Sequence, residues 1–254
     1  MSHPPRICVI GSQISICDSR TALDQLDERL RQGGGGYVCF TNAHAAVTGR
    51  HDARLRAVTN DSLLSVADGM SVYWLARLKG ASNIGHVAGP DFMPLALTRF
   101  ADRQHFFYGS TPEVLAALVA ALRTHIPGIN ICGTLSPPFR PLTPIETADM
   151  CRQILQSGAQ FVWVGLGAPK QEFWMSEVWQ SLQPAILLGV GAAFDFHAGT
   201  VRRAPRPWRL VGTEWLYRLF QEPRRLWKRY LVTNILFIYY SFRDAFSRRR
   251  DKPA

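Results

Sequence analysis

Through the first two hundred residues, short apolar runs alternate with longer stretches whose apolar positions recur every three to four residues. The runs at residues 6–10, 37–41, 62–66, 105–108, 161–164 and 185–189, with a shorter one at 130–132, are mostly β-branched or aromatic and predict strands. The stretches between them predict helices at about 21–31, 43–58, 71–79, from Asp91 onward, 112–125 and from Thr143 onward. Punctuation agrees: Gly33 to Gly36 follow the first helix as a left-handed cap would. Thr143-Pro144-Ile145-Glu146 offers a cap, a proline at the first helical position and Glu three residues after the cap. Strands alternating with helices of this length specify a doubly wound, mostly parallel, Rossmann-like α/β sheet. In such sheets ligands collect at the carboxyl ends of the strands.

The alternation stops near residue 200. From there the chain is rich in Arg and Trp, carries Pro205, Pro207 and Pro223, and predicts helices at 212–220 and 223–246. The pattern therefore divides the chain into an α/β domain, residues 1–199, and a helical appendage, residues 200–254.

One stretch combines strand, turn and helix start: Phe161-Val162-Trp163-Val164-Gly165-Leu166-Gly167-Ala168-Pro169-Lys170-Gln171-Glu172. Gly165 and Gly167 permit a tight turn, and Pro169 suits the first helical position. Backbone N–H groups of the turn then aim at whatever sits above it. A helix N-terminus favours phosphate there, with Lys170 adding a full charge. The third glycine of a dinucleotide fingerprint is missing, and no Walker lysine pattern occurs.

Charge sharpens this picture. The net charge is +10, yet residues 1–200 hold 15 Lys and Arg against 15 Asp and Glu, whereas residues 201–254 hold 14 against 4. The excess lies wholly in the appendage, which points to an anionic partner: nucleic acid, anionic lipid or a phosphorylated substrate. Cys8, Cys17, Cys39, Cys132 and Cys151 are odd in number and scattered, which argues against a disulfide framework or zinc site and fits a reducing cytoplasm. No signal peptide is expected at the N-terminus. The longest C-terminal apolar stretch, residues 230–242, is interrupted by Thr233, Asn234 and Ser241 and falls short of the roughly 20 residues a bilayer span needs.

Candidate chemistry follows from the strand ends, where Asn42, Asp68, Asp91, Gln171 and Asp195 stand. Asp68-Gly69 is either a functional acid or a turn dipeptide. Asn42 and Asp91 have capping explanations beside functional ones. Asp195, between Phe194 and Phe196 at an apolar strand end, needs a partner if buried. The seven histidines show no ligand spacing and no D-x-D motif occurs, so no metal and no cofactor is expected. A nucleophile elbow is absent too.

In order along the chain, Thr41-Asn42-Ala43, Ala67-Asp68-Gly69-Met70, Val87-Ala88-Gly89-Pro90-Asp91, Phe107-Tyr108-Gly109, Val164 through Glu172, Gly189 through Asp195, and Glu214-Trp215-Leu216-Tyr217-Arg218 with Glu222-Pro223 resemble the WecG/TagA/CpsF glycosyltransferases, glycosyltransferase family 26. The resemblance spans roughly residues 37–232. It implies an inverting transferase that moves a sugar from a UDP-sugar to a polyprenyl-diphosphate-linked saccharide, as a peripheral protein at the cytoplasmic face of the inner membrane of a bacterium. It also implies Asp68 as general base, and donor-binding roles for Asn42, Gln171 and Asp195 beside Thr41, Asp91, Gly165, Gly167 and Lys170. Arg218 and Arg225 become candidates for diphosphate contacts. One departure stands out: the family often has Thr two residues before the Asn, where this chain has Phe40, so either Thr41 takes that role or the contact is absent.

The appendage is read as facing an anionic membrane surface through aromatic and apolar residues, among them Trp215, Trp227, Tyr240, Leu226, Leu231 and Ile235, beside Arg224 and Lys228. The alternative is a helix pair packed on the body with a solvated basic face. Two rival functions suit parts of the chain: a nicotinamide-dependent oxidoreductase, disfavoured by the missing glycine, and a nucleic-acid-binding module, suggested by interleaved Arg and aromatic residues. No nucleic acid is expected as a partner under the transferase reading, and a homo-oligomer is left open.

Overall fold

The structure is a computed structural model and describes residues 4–250, with the side chains of Arg225 and of residues 245–250 outside that description. In chain order it runs β1 (Arg6–Val9), β2 (Ser12–Ser15), α1 (Ser19–Arg31), β3 (Gly36–Thr41), α2 (Ala43–His51), α3 (Ala53–Asp61), β4 (Leu64–Ala67), α4 (Met70–Leu78), α5 (Gly89–Arg99), β5 (His105–Gly109), α6 (Pro112–His125), β6 (Ile131–Leu135), α7 (Pro144–Gln156), β7 (Phe161–Gly165), α8 (Lys170–Val178), β8 (Ile186–Gly189), α9 (Ala193–His197), α10 (Arg206–Leu210), α11 (Glu214–Gln221) and α12 (Pro223–Arg250).

Six strands form one all-parallel sheet in the order β4-β3-β8-β7-β5-β6. Its apolar runs alternate between two cores because successive side chains point to opposite faces. Val38, Phe40, Phe107, Phe161, Trp163 and Leu188 pack on one side with α1, α5 and α6. Tyr37, Cys39, Tyr108, Val162, Val164 and Leu187 pack on the other with α7 and α8. Trp163 is wholly buried, which is worth about 2–3 kcal/mol for a large apolar side chain. Its indole N–H donates to His105 Nδ1 at 3.1 Å, and His105 Nε2 reaches the Phe100 carbonyl at 2.8 Å. Burial holds that histidine neutral, its pKa lowered to about 4. It is a satisfied core group, and no part of a site.

Two local expectations fail for identifiable reasons. The single strand expected at 6–10 is the first arm of an antiparallel hairpin, β1 with β2. Its turn is Ile10-Gly11, both at positive φ (43° and 100°). A β-branched residue there costs about 1–2 kcal/mol, which the complete burial of Ile10 offsets at about the same magnitude or more. The single helix expected at 43–58 is two helices. Asp52 adopts an extended conformation and accepts from the N–H groups of Arg54 and Leu55 at 2.9 and 3.1 Å, so it ends α2 and caps α3.

Beyond Ala204 the chain is helical, and α12 lies along α2. His44 meets Thr233 at 3.3 Å, His51 meets Tyr240 at 3.0 Å, and Arg50 pairs with Asp244 at 3.5 Å. Phe237 and Tyr240 enter the same apolar cluster as Val9, Ile10 and Val72. Leu226 and Tyr240, expected on an outward face, are buried instead, Tyr240 against the body.

Candidate active site

The carboxyl ends of the parallel strands open into one cleft of about 1860 Å³, walled on the far side by α11 and α12. Asn42, Asp68, Gly165, Gly167, Lys170, Gln171, Asp195 and Arg218 all line it.

Asp68 follows β4 directly. Its Oδ1 accepts from the Gly89 N–H at 2.9 Å and its Oδ2 accepts from Asn42 Nδ2 at 3.3 Å. Gly89 is the first residue of α5, whose own preceding residue, Ala88, offers no side-chain cap, so Asp68 caps that helix from a neighbouring segment. Burial pushes the Asp68 carboxyl above its ordinary range, outweighing the lowering effects of Gly89, His86 and Asn42. The charge of Glu214 acts in the same direction as burial. A carboxylate with amide donors, no salt-bridge partner among the described residues and a raised pKa is poised to take up a proton.

Asn42 is a helix cap, one of the readings weighed for it, and it also lines the cleft. Its Oδ1 accepts from the Ala45 N–H at 3.1 Å as the cap of α2, while its amide group donates to Asp68. His86 is a residue that sequence reasoning missed. It lines the cleft and its Nε2 lies 2.6 Å from the Asp68 carbonyl oxygen; as a lone histidine with no spacing partner it carried no signal.

The turns after β7 and β8 depart from expectation in what they do. The Gly167 N–H donates to Gln171 Oε1 at 3.1 Å and the Gly191 N–H donates to the Val164 carbonyl at 3.2 Å, so neither is free for a ligand. Their glycines supply conformation and room: Gly167 has φ 77° and open space beside it, while a Cβ on Gly165 would lie 2.5 Å from the Phe194 ring. Pro169 holds the cap position, one residue before α8, and Lys170 is the first helical residue and exposed. Gln171 is buried. Its Nε2 donates to the Gly189 carbonyl at 2.6 Å and to Glu172 Oε1 at 3.1 Å, so its amide ties the two turns together beneath the cleft.

Thr41 and Asp91 do not line the cleft. Thr41 is buried with its hydroxyl 2.8 Å from that of Ser65, because β-strand alternation turns it to the face opposite Phe40. Phe40 lines the cleft in its place, so the Thr41 hydroxyl is not offered to the cleft. Asp91 is gripped by Arg203 through two bonds of 2.6 and 2.7 Å and by Arg209 at 3.2 Å. Burial alone would raise its pKa, but the Arg203 and Arg209 guanidinium groups hold it below the ordinary range. Arg203 also reaches Glu214 at 3.1 Å, so this cluster fastens the segment before α10 to α5 and α11.

Asp195 lies in the first turn of the short helix α9, not at a strand end. Arg218 projects from α11 with its guanidinium 5.5 Å from the centre of the Phe196 ring, and its Nε has no hydrogen-bond partner among the described residues. Arg225 lies on α12 with its side chain outside the described residues. Among the described residues, no group of three or more His, Cys, Asp or Glu side chains is arranged to hold a metal ion.

A parallel sheet with helices on both faces, and a half-buried acid and glycine turns along its carboxyl edge, defines a Rossmann-like α/β enzyme. The chain belongs to the glycosyl transferase WecG/TagA/CpsF family, whose model matches residues 7–251. It is therefore a glycosyltransferase, with a sugar donor and an acceptor as substrates.

Proposed function

We propose that the enzyme is an inverting, metal-independent transferase that moves a sugar from a UDP-sugar to a polyprenyl-diphosphate-linked saccharide, in bacterial surface polysaccharide or teichoic acid synthesis. The observation that carries this reading is the Asp68 carboxyl, half-buried at the edge of the sheet where it lines the cleft, with its pKa raised and with amide groups for partners. Asp68 takes the proton of the acceptor hydroxyl as that oxygen attacks the anomeric carbon. The bond from this carbon to the diphosphate breaks, and UDP leaves with the electron pair. Base catalysis of this kind contributes about 10² to 10⁴-fold. The leaving group gains negative charge, which Lys170 at the start of α8 and Arg218 on α11 are suited to meet. Phe40, Asn42 and Asp195 border the same space and are the residues through which the donor is held.

The acceptor is a lipid, and α12 has the surface to meet one. Trp227, Leu231, Ile235, Ile238 and Phe242 are exposed at intervals of three or four residues, which aligns them on one stripe opposite the buried Leu226, Phe237 and Tyr240. Arg224, Lys228 and Arg243 flank the stripe. No helix among the described residues is long and apolar enough to cross a membrane, so the reading is of a helix lying in the head-group interface at the cytoplasmic face of the inner membrane. The test is a panel of UDP-sugars offered with a short-chain lipid diphosphate-sugar, with products identified by mass spectrometry. One donor is expected to extend the acceptor by a single sugar. Transfer from a different nucleotide sugar, and from no UDP-sugar, would contradict the donor assignment.

A further inference from the structure

Glu172 is buried, with 2% of its surface exposed, in the first turn of α8. It forms no salt bridge among the described residues, and its Oε2 there has no hydrogen-bond partner. Burial, with the Asp68 carboxylate adding to it, pushes its pKa up to about 7. On the neighbouring strand β3, the Cys39 thiol is pushed up by burial first and by the Glu172 charge second. A buried carboxyl without a cation is costly where an apolar side chain would pack. Stability therefore does not explain it.

The hydrogen bonds give it another purpose. A glutamine amide has two N–H donors and one carbonyl acceptor. Gln171 uses all of these: one donor on the Gly189 carbonyl, the other on Glu172 Oε1, and the acceptor for the Gly167 N–H. The fit is close, since a Cβ on Gly189 would stand 3.0 Å from Gln171 Nε2 and one on Gly191 would stand 3.3 Å from Gln171 Oε1. Removing the Glu172 acceptor leaves a buried N–H unpaired and frees the amide to rotate, which loosens both turns together.

We propose that Glu172 is a positioning residue: from beneath the cleft it locks the Gln171 amide, and through it the spacing of the Gly165–Gly167 and Gly189–Gly191 turns that border the donor. Its link to the donor rests on the function proposed above. Its link to Gln171 does not.

Two variants and two readouts test this. Glu172→Leu removes the acceptor and fills the space; Glu172→Gln keeps an oxygen for Gln171. In the ligand-free protein, amide exchange at Gly167 is expected to quicken at least about tenfold in Glu172→Leu, because the Gly167 N–H loses a fixed acceptor. UDP affinity by calorimetry should fall about tenfold, below the roughly 10²-fold that a 1 Å misplacement can cost. Its melting temperature should shift by no more than a few degrees, since the relief of a buried carboxyl offsets the unpaired Gln171 N–H. Glu172→Gln should stay within about threefold of wild type in both readouts, the hydrogen bond being kept. If the leucine variant does not fold, Glu172→Met, which also removes the acceptor, repeats both measurements. Unchanged Gly167 exchange without the acceptor overturns the positioning role. Faster exchange with unchanged UDP affinity overturns its connection to the donor. A wild-type protein that binds no UDP would defeat the proposed donor, and the exchange measurement would still decide the role of Glu172.

Discussion

Two aspartates on neighbouring segments, Asp68 after β4 and Asp91 in the first turn of α5, have opposite surroundings. Asp68 has amide groups as its hydrogen-bond donors and no salt bridge among the described residues, and burial raises its pKa against the smaller opposing effect of His86. Asp91 has two arginines, and its pKa is lowered despite burial. A carboxylate that meets cations is a fastener, because its charge is already used. One that is buried without a cation keeps its affinity for a proton and is available for chemistry. The same contrast separates the two walls of the cleft. The sheet edge is set by backbone hydrogen bonds and close glycine contacts, whereas the C-terminal wall is held to it by ion pairs and aromatic packing.

The largest effect that would sharpen the contrast is expected at Asp68. Asp68→Asn should cut turnover by about 10²-fold or more, the contribution expected of a base, with UDP binding within a few-fold of wild type. Its folded pKa is raised, so ionised Asp68 weakens the fold: stability is lost as pH rises through the folded pKa. At pH 8 the amide relieves that penalty, and the melting temperature should not fall. A variant that loses stability along with activity would make Asp68 a structural residue.

A smaller effect belongs to the membrane wall. Phe242→Asp places a charge at the exposed end of the α12 stripe, away from the cleft lining, and should cut liposome flotation about tenfold, in keeping with the roughly 1 kcal/mol or more that one interfacial side chain contributes. UDP affinity in solution should be unaffected. Equal flotation of the two proteins would leave the stripe without a lipid role.

Asp91→Asn should act more weakly still. The Asp91 side chain is 49% exposed, so screening limits the loss to about 1 kcal/mol, or a melting shift of roughly 2–4 °C. The lowered pKa means this stabilisation is present above the unfolded-state value and disappears as pH falls through the folded one. Turnover should drop only a few-fold, through loosening of the C-terminal wall. A loss as large as that of Asp68→Asn would erase the distinction between fastener and base. The smallest effect is the one expected of EDTA, none; turnover lost to chelation and restored by Mg²⁺ or Mn²⁺ would reveal a metal requirement.

How far the sequence could be read depended on what each signal required. Strands such as Phe161–Gly165, buried on both faces, are continuous apolar runs and were legible. Ser12–Ser15 was not, because its polar Ser12, Gln13 and Ser15 find partners only in the fold, as when Ser15 Oγ accepts from the Ser65 N–H at 3.1 Å. The cleft residues at strand ends were legible because topology alone brings strand ends together. Which way a side chain turns was not: Thr41 and Phe40 differ by one residue, and the register decides which reaches the cleft. Nor was the Arg203 grip on Asp91, which joins residues 112 positions apart, or the Gln171 tie to the Gly189 carbonyl, which joins residues 18 positions apart.

The central claim, that burial makes Asp68 a base, is tested most directly by the pH dependence of kcat/KM for sugar transfer. The active form is the deprotonated one, so activity should fall with unit slope on the acid side. The midpoint should lie above the ordinary aspartate value of about 4, as the raised Asp68 pKa requires. The same limb should vanish from the residual activity of Asp68→Asn. A limb at the ordinary value, or one that persists unchanged in the asparagine variant, would contradict the account.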